Sequence, residues 1–539
     1  MKTNRQITLG LVCILLFSFL FRLYKINQLP LFGDEVDVGY QAYSLLKTGK
    51  DYKGNFLPTY IQSFSESRAP LLMYFSVPSI AILGLNEIGV RFTPIIFGVL
   101  SILFLFLLIK QITNNPKLAL ISAIFLSLSP WHFHYSRTAF EVTLLLTLLL
   151  AGTYSFLNKK YFLSIFLFCL TFYTYNTANI FTPLLVIYLY ITNLKSFNIK
   201  KTITLSVFGL ILILPIIYNI LFGSAANRFG LISIFNSPQL IGNIISKRLD
   251  YSSSKTPVEN LFHNRPIIYV QEFSKNYIAS LSPTFLFVTG DNNTRHNVEY
   301  YGLILLPLII PFLFGLTKLK KYPLMSFWLF TAPIASCLTM GGGHHPTRLF
   351  IVLPALIFFT TIGFFQLQKN IKYLVLISFG FYIILFSHEY FTHYPKESAQ
   401  NYNFGYKSLI ESLPKNYNRL FISNSNYISL PQYLFYTKHS PAIFQKELKT
   451  DQEVKNIFLD MDGFRLNDKV YFINNWHQNN DIFTKIETFA KSGDVFLLFQ
   501  KNEIPGDWDL SLNSKENYST IKTIKLPNYQ LFGQIIQKQ

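Results

Sequence analysis

Apolar residues in this chain fall in long runs instead of the spaced pattern of a soluble core. The first run, 7–23, follows Lys2 and Arg5 and has no small-residue cleavage site before Arg22-Leu23-Tyr24-Lys25. It therefore reads as a retained span and not as a removed leader. Further runs are centred near Val99, Phe125, Leu148, Phe166, Leu185, Ile211, Leu306, Trp328, Ile357 and Leu376. Together they predict a multi-span α-helical membrane protein with about eleven transmembrane helices. The runs near Phe125, Phe166 and Leu185 are short, at roughly 13–16 residues, and depend on charge placement for their assignment.

With a cytoplasmic N-terminus, alternate loops carry Lys110/Lys117, Lys159/Lys160, Lys195/Lys200/Lys201, Lys318/Lys320/Lys321 and Lys369/Lys372. The short loops of opposite parity hold almost no cations, which satisfies the positive-inside rule at each inward turn. This topology places the protein in the cell membrane with its C-terminus extracytoplasmic. Three outward segments, 24–87, 223–301 and 389–539, are too long to be connectors. The first contains two amphipathic stretches, 36–46 and 70–83, suited to lying along the interface. The third is polar, with strand-like runs at 419–422, 470–473, 495–500 and 520–525, and predicts a small soluble α/β domain. The expected division is a membrane domain, 1–388, and an extracytoplasmic domain, 389–539. So much chain on one face points to a site there.

Composition narrows the function class. The 539 residues are 50% hydrophobic and 17% aromatic but only 14% charged, which excludes a cytosolic enzyme and a disordered chain. The net charge of +19 does not indicate nucleic acid, because the lysines punctuate apolar runs and form no basic patch on a soluble domain. Cys13, Cys169 and Cys337 each lie in an apolar stretch without metal or disulfide spacing.

Candidate chemistry gathers on the outward segments. Asp34 and Glu35 stand together in Gly33-Asp34-Glu35-Val36-Asp37. They read as a solvated pair, as a charge pair at a helix start with Asp34 at the N-cap, or as a general base. Arg137 and Glu141 are four apart at the outer start of a helix, on one face, as an ion pair or as part of a site. His132 and His134 read as interfacial packing in preference to metal ligands. The inner loop clusters are all lysine, whereas Arg68, Arg91, Arg137, Arg228, Arg248, Arg265, Arg295 and Arg348 fall outside. A planar guanidinium fork suits phosphate, so an outward phosphate-handling pocket is expected. The Gly341-Gly342-Gly343-His344-His345-Pro346 turn before Arg348 allows close backbone approach but is no nucleotide P-loop. With no nucleotide motif in the chain, an activated substrate is expected to arrive within the membrane.

Several motifs occur in a set order: Gly33-Asp34-Glu35; Arg68-Ala69-Pro70-Leu71-Leu72-Met73-Tyr74; Arg91; Ser129-Pro130-Trp131 through Arg137 and Glu141; Tyr173-Thr174-Tyr175-Asn176-Thr177-Ala178; and Leu338-Thr339 through Arg348. Over roughly the first seven-tenths of the chain this set resembles glycosyltransferase family 39, membrane transferases of the GT-C fold that use polyprenyl-phosphate sugars. That family includes the protein O-mannosyltransferases and the lipid A aminoarabinose transferases. The stretch from Asn276-Tyr277 to Asp291, with Arg295-His296, resembles a bacterial branch. The resemblance implies Asp34 as catalytic base, Glu35 as its neighbour and Glu141 as a second acid. It implies Arg68 as the contact to the carrier phosphate. From the outward arginines, Arg68, Arg91 and Arg348 are the phosphate candidates in that order, and Arg137, His345 and Tyr74 complete the expected substrate-binding set. Ala69 replaces the first proline of the family's Pro-Pro-Leu turn, and Asn179 stands where close relatives carry arginine.

The expected reaction moves a sugar from a polyprenyl-phosphate carrier to a hydroxyl of a protein, lipid or glycan, with inversion by direct displacement. No metal is expected to be essential; magnesium near Asp34 and Glu141 is the one cation considered. A polysaccharide ligase or polymerase using a lipid-linked oligosaccharide shares the outward arginines and is the nearest alternative. A non-catalytic lipid transporter predicts internal repeats and broken helices, which the sequence does not show. A sensor or scaffold would use 389–539 to bind partners.

Overall fold

The structure is a computed structural model. It describes residues 2–63, 67–223, 230, 232–250, 262, 264–424, 428–450, 454–458, 461–467, 469–473, 488–499 and 517–539. Arg228 and Gln500, named above, lie outside the described residues.

Helices of the first half are α1 (Lys2–Leu23), α2 (Gly33–Thr48), α3 (Leu71–Leu83), α4 (Glu87–Thr113), α5 (Pro116–Ser127), α6 (Pro130–Tyr135), α7 (Val142–Leu157), α8 (Tyr161–Phe172), α9 (Ala178–Thr192) and α10 (Ile199–Phe222). Leu306–Leu316, Pro323–Cys337, Pro346–Gln366 and Lys369–Thr392 continue the apolar series. Every apolar run thus forms a helix, although the one near Leu306 only begins there. Five of them, α1 from Arg5, α4, α10, Pro346–Gln366 and Lys369–Thr392, are long and apolar enough to cross a membrane alone. Local chemistry sets their starts. Asn115 accepts from the N–H groups of Lys117 and Leu118 with Pro116 in the first turn of α5, and Asn198 accepts from Lys201 N–H at the start of α10.

The chain divides into two compact units: Met1–Tyr24, Thr59–Leu72 and Arg91–Phe391 form one, and Lys25–Pro58, Met73–Val90 and Thr392–Gln539 form the other. In the first unit α1 packs on α5, α7 on α8, and α8 on α10. Leu306–Leu316 and Pro346–Gln366 touch backbone to backbone. A Cβ at Gly315 would overlap the Phe359 carbonyl, and one at Gly363 the Pro311 carbonyl. Small residues at such a crossing let two membrane helices gain packing that lipid alone would not drive.

Among the described residues the second unit holds a seven-stranded sheet in the order β4-β5-β6-β3-β7-β9-β8. Its strands are β3 (Leu420–Ser423), β4 (Val454–Phe458), β5 (Met461–Leu466), β6 (Val470–Ile473), β7 (Val495–Phe499), β8 (Tyr518–Lys525) and β9 (Leu531–Lys538). A two-residue pair, β1 (Ile61–Gln62) and β2 (Ser67–Arg68), precedes them in the first unit. β3 is parallel to both β6 and β7 and buried at each of its positions, and the flanking strands run antiparallel. Phe421, Tyr471, Phe496 and Ile536 form the heart of its core.

This unit corrects one expectation. The stretch 36–46 does not lie on a surface: α2 is buried on most sides, packed on Ser429–Tyr436 and Pro441–Thr450. A Cβ on Gly39 would stand 2.6 Å from the Phe435 ring, so glycine permits the approach. Tyr40 donates to the His439 carbonyl at 3.1 Å, and Gln445 donates to Ser44, Thr48 and the Asp51 carbonyl. The outward segment 24–87 is therefore split between the units, with 25–58 and 73–90 belonging to the unit that carries the sheet.

Candidate active site

Asp34 and Glu35 open α2 in the second unit. The helix begins at Gly33 with Phe32 as its N-cap, so Asp34 is not the cap; it occupies the second helical position and is half-buried. Glu35 is fully buried and its Oε2 accepts from the Phe32 N–H at 3.4 Å, tying its carboxylate back to the start of its own helix. That bond closes the first turn of α2, in which Asp34 also stands. Asp37, one turn further along, is also buried, and the sequence reading gave it no role. Tyr74 donates to the Pro58 carbonyl at 2.9 Å, and burial, with Asp51 adding to it, pushes its phenol up to about 12.

The remaining candidates lie in the first unit. Arg68, on β2, points its Nη1 to within 4.0 Å of Glu141 Oε1, with side-chain exposures of 7% and 13%. A charge pair this sheltered feels a lower dielectric than a surface pair. Two anchors place it: Ile61 pairs with Arg68 across the β1–β2 ladder, and Leu71 N–H donates to the Tyr173 carbonyl at 3.0 Å. Glu141 sits immediately before α7. Arg91 is buried one turn into α4. Arg348 donates to Thr339 Oγ1 at 2.6 Å and to the Met340 carbonyl at 3.3 Å. The glycine turn before it is a packing device, since a Cβ on Gly342 would overlap the Ser336 carbonyl and one on Gly343 would stand 2.7 Å from the Asn276 carbonyl. The His345 ring lies 5.3 Å from the His296 ring, whose Nδ1 is 2.9 Å from Asp291 Oδ2.

Arg137 departs from expectation. It occupies a turn after α6, not the α7 helix, so it and Glu141 do not share a helix face. Its Nη1 donates to the carbonyls of Phe21, Arg22 and Tyr24 at 3.3, 2.6 and 2.7 Å. Phe133, Tyr390 and Phe391 surround its guanidinium at 5.1–5.3 Å. Its guanidinium thus ties down main-chain carbonyls at the end of α1.

Arg22, in the last turn of α1, was read only as the edge of a span, yet it is fully buried. It donates to Ser136 Oγ at 2.7 Å, to Ser18 and to the Ser127 carbonyl at 3.0 Å, and its Nη2 lies 2.9 Å from His132 Nδ1. Because an arginine can only donate, His132 Nδ1 is the acceptor and Nε2 carries the proton, donating to Ser101 Oγ at 2.8 Å. The ring is thus neutral and structural. His134 is likewise neutral, its Nε2 donating to the Arg295 carbonyl at 2.7 Å. An arginine inside the last turn of an apolar run was the sequence signal for this network. Among the described residues no group of three or more His, Cys, Asp or Glu is gathered closely enough to hold a metal ion.

Comparison with known proteins bears on the fold. The apo form of ArnT from Cupriavidus metallidurans aligns over 99% of this chain and 98% of its own, with 11% identity and a TM-score of 0.56. The same protein bound to undecaprenyl phosphate aligns over 98% and 97%, with 12% identity and a TM-score of 0.54. No curated protein matches the sequence. The chain has the fold of the GT-C membrane glycosyltransferases and is a multi-pass membrane protein. Residues 67–219 match the family model of the dolichyl-phosphate-mannose-protein mannosyltransferases. The resemblance to glycosyltransferase family 39 thus holds by sequence across the segment carrying Arg68, Arg91, Arg137 and Glu141, and the fold agrees over the whole chain.

Proposed function

We propose that this protein is an inverting glycosyltransferase that moves a sugar from a polyprenyl-phosphate carrier to an acceptor hydroxyl on the extracytoplasmic face. The observation that carries the proposal is the sheltered Arg68–Glu141 pair inside the family-matched segment. The undecaprenyl phosphate bound by the ArnT structure of like fold supports a carrier of that chemistry.

In this reading Asp34 removes the acceptor proton, and the oxygen so freed attacks the anomeric carbon from the side opposite the phosphate. The carbon–oxygen bond to phosphate breaks as the new glycosidic bond forms, so one displacement inverts the centre. The departing lipid phosphate gains negative charge, which Arg68, Arg91 and Arg348 are suited to steady. Glu141 holds the Arg68 guanidinium in place. The bond from Phe32 N–H to Glu35 supports the helix start from which Asp34 projects. The acceptor is a protein, lipid or glycan hydroxyl.

The test is Asp34→Asn, which preserves shape and removes the base. The account expects transfer to be abolished in a variant that purifies and melts like the wild type. Transfer near the normal rate would remove Asp34 from the role.

A further inference from the structure

Two adjoining open pockets lie among helices α7 to α10 of the first unit. One, of about 600 Å³, is lined by Lys159, Lys160 and Lys201 together with Ser196 and the first residues of α8. Among the described residues no carboxylate lines it. The other, of about 470 Å³, is a largely apolar groove between α8, α9 and α10, walled by residues such as Phe168, Val186, Leu210 and Ile213. Tyr161 and Leu205 line both, so a cationic mouth opens directly onto an apolar groove. Leu210 is 53% exposed, which leaves the groove open sideways to lipid.

The mouth is organised as well as charged. Lys201 Nζ lies 3.9 Å over the Tyr161 ring and 4.8 Å over the Phe197 ring, and donates to the Ser196 carbonyl at 3.0 Å. The start of α8 has no side-chain cap, and its first residues, Tyr161, Phe162 and Leu163, line the same cavity. Helix-start N–H groups add positive potential to that of the three lysines. Such a juxtaposition matches a molecule with one anionic head and a hydrocarbon tail.

Two molecules share that chemistry, a membrane phospholipid and a polyprenyl phosphate, and position separates them. Glu141 precedes α7 and Lys159 follows it, so the lysine mouth lies a helix length, about 24 Å, from the Arg68–Glu141 pair. We propose that the paired cavities bind an anionic glycerophospholipid. Lys159, Lys160 and Lys201 hold its phosphate, and an acyl chain fills the groove between α8, α9 and α10. The lipid enters from the leaflet opposite the one facing Arg68 and Glu141. The inference stands apart from the proposed reaction, because its test reads lipid binding and not sugar transfer.

The full-length protein in detergent is titrated separately with phosphatidylglycerol, phosphatidylcholine and undecaprenyl phosphate, and retained lipid is counted by native mass spectrometry. The wild type should hold phosphatidylglycerol about tenfold more tightly. Lys159→Asn/Lys160→Gln/Lys201→Gln should abolish the preference, whereas Lys110→Gln/Lys117→Gln, in a different lysine loop, should keep it. Lys160→Gln alone changes one exposed side chain and should cut the preference about threefold. Phosphatidylglycerol should also raise the melting temperature of the wild type more than that of the triple variant. Equal retention of the two lipids by the wild type, or equal loss in both multiple variants, overturns the proposal. So does tighter binding of undecaprenyl phosphate than of phosphatidylglycerol that the triple substitution erases.

Discussion

Arg68 and Glu141 approach to 4.0 Å with both side chains largely withdrawn from solvent, joining the β1–β2 ladder to the start of α7. An arginine held this way keeps a fixed fork toward whatever anion it meets. Glu141→Gln retains the shape and removes the charge partner. It should lower kcat/KM for a polyprenyl-phosphate sugar about 100-fold and stability by about 2 kcal/mol. Arg68→Lys keeps the charge without the fork and should lose about tenfold. Steady-state kinetics with thermal melts separate the two effects.

Arg137 should behave as a structural residue. Arg137→Met removes the donor to three main-chain carbonyls at the end of α1 and should destabilise the fold by about 3 kcal/mol. The fraction that folds should keep its KM for the donor. A raised KM at unchanged melting temperature would return Arg137 to the phosphate-binding set.

The histidines of α6 give stability a pH dependence. Burial, with Arg22 as second cause, holds the His132 pKa well below its ordinary 6.5. Burial likewise takes His134 to about 3, against the opposing pull of its bond to the Arg295 carbonyl. Unfolded histidines gain a proton near pH 6.5 and the folded ones do not, so these groups favour the fold above that pH. Stability should fall as pH drops below 6.5, by about 1.4 kcal/mol per pH unit for each histidine. For His134 the decline ends near its folded value of about 3. His134→Gln should reduce the slope of melting temperature against pH between 6 and 4; an unchanged slope contradicts this origin.

The glycine crossing between Leu306–Leu316 and Pro346–Gln366 predicts a contrast between two alanine substitutions. Gly363→Ala places a Cβ against the Pro311 carbonyl, whereas Gly380→Ala on the neighbouring helix meets nothing within 4 Å. The first should cost about 3 kcal/mol through forced separation of the helices. The second should be neutral or stabilising by up to about 1 kcal/mol. Thermal melts of the two purified variants check the pair.

Much of this architecture was legible because membrane helices announce themselves by apolar length. Even the short α8 and α9 formed where the lysine loops required a turn. Strand β6 was readable at its exact bounds, since Val470–Ile473 is a bounded apolar run. Strand β9 escaped because it is buried on both faces and shows no alternation, and β4 and β5 because their sequences mix Gly, Asp and Lys with apolar residues. The docking of α2 in the sheet-bearing unit was hidden for a different reason. Its partners Phe435, His439 and Gln445 lie some 400 residues further along, and no local periodicity reports such a contact.

Among the candidate site residues, sequence spacing did not foretell the local geometry. Arg137 and Glu141 looked like one helical pair, but the chain turns between them, leaving Arg137 to cap α1 and Glu141 to meet Arg68. Asp34 looked like a cap until the helix proved to begin at Gly33, with Glu35 supplying the capping contact. Arg22 gave a signal as an intramembrane arginine, but its partners, Ser18, Ser127, His132 and Ser136, are neutral groups brought together only by folding.

The central claim is the transfer itself. The purified protein is placed in vesicles with a panel of polyprenyl-phosphate sugars labelled in the sugar, and the label remaining on the carrier is followed over time. The account predicts that at least one carrier loses its label to a separable product, and that Asp34→Asn leaves that carrier intact. Full retention of label on every carrier, with a membrane extract supplied as acceptor, would contradict it.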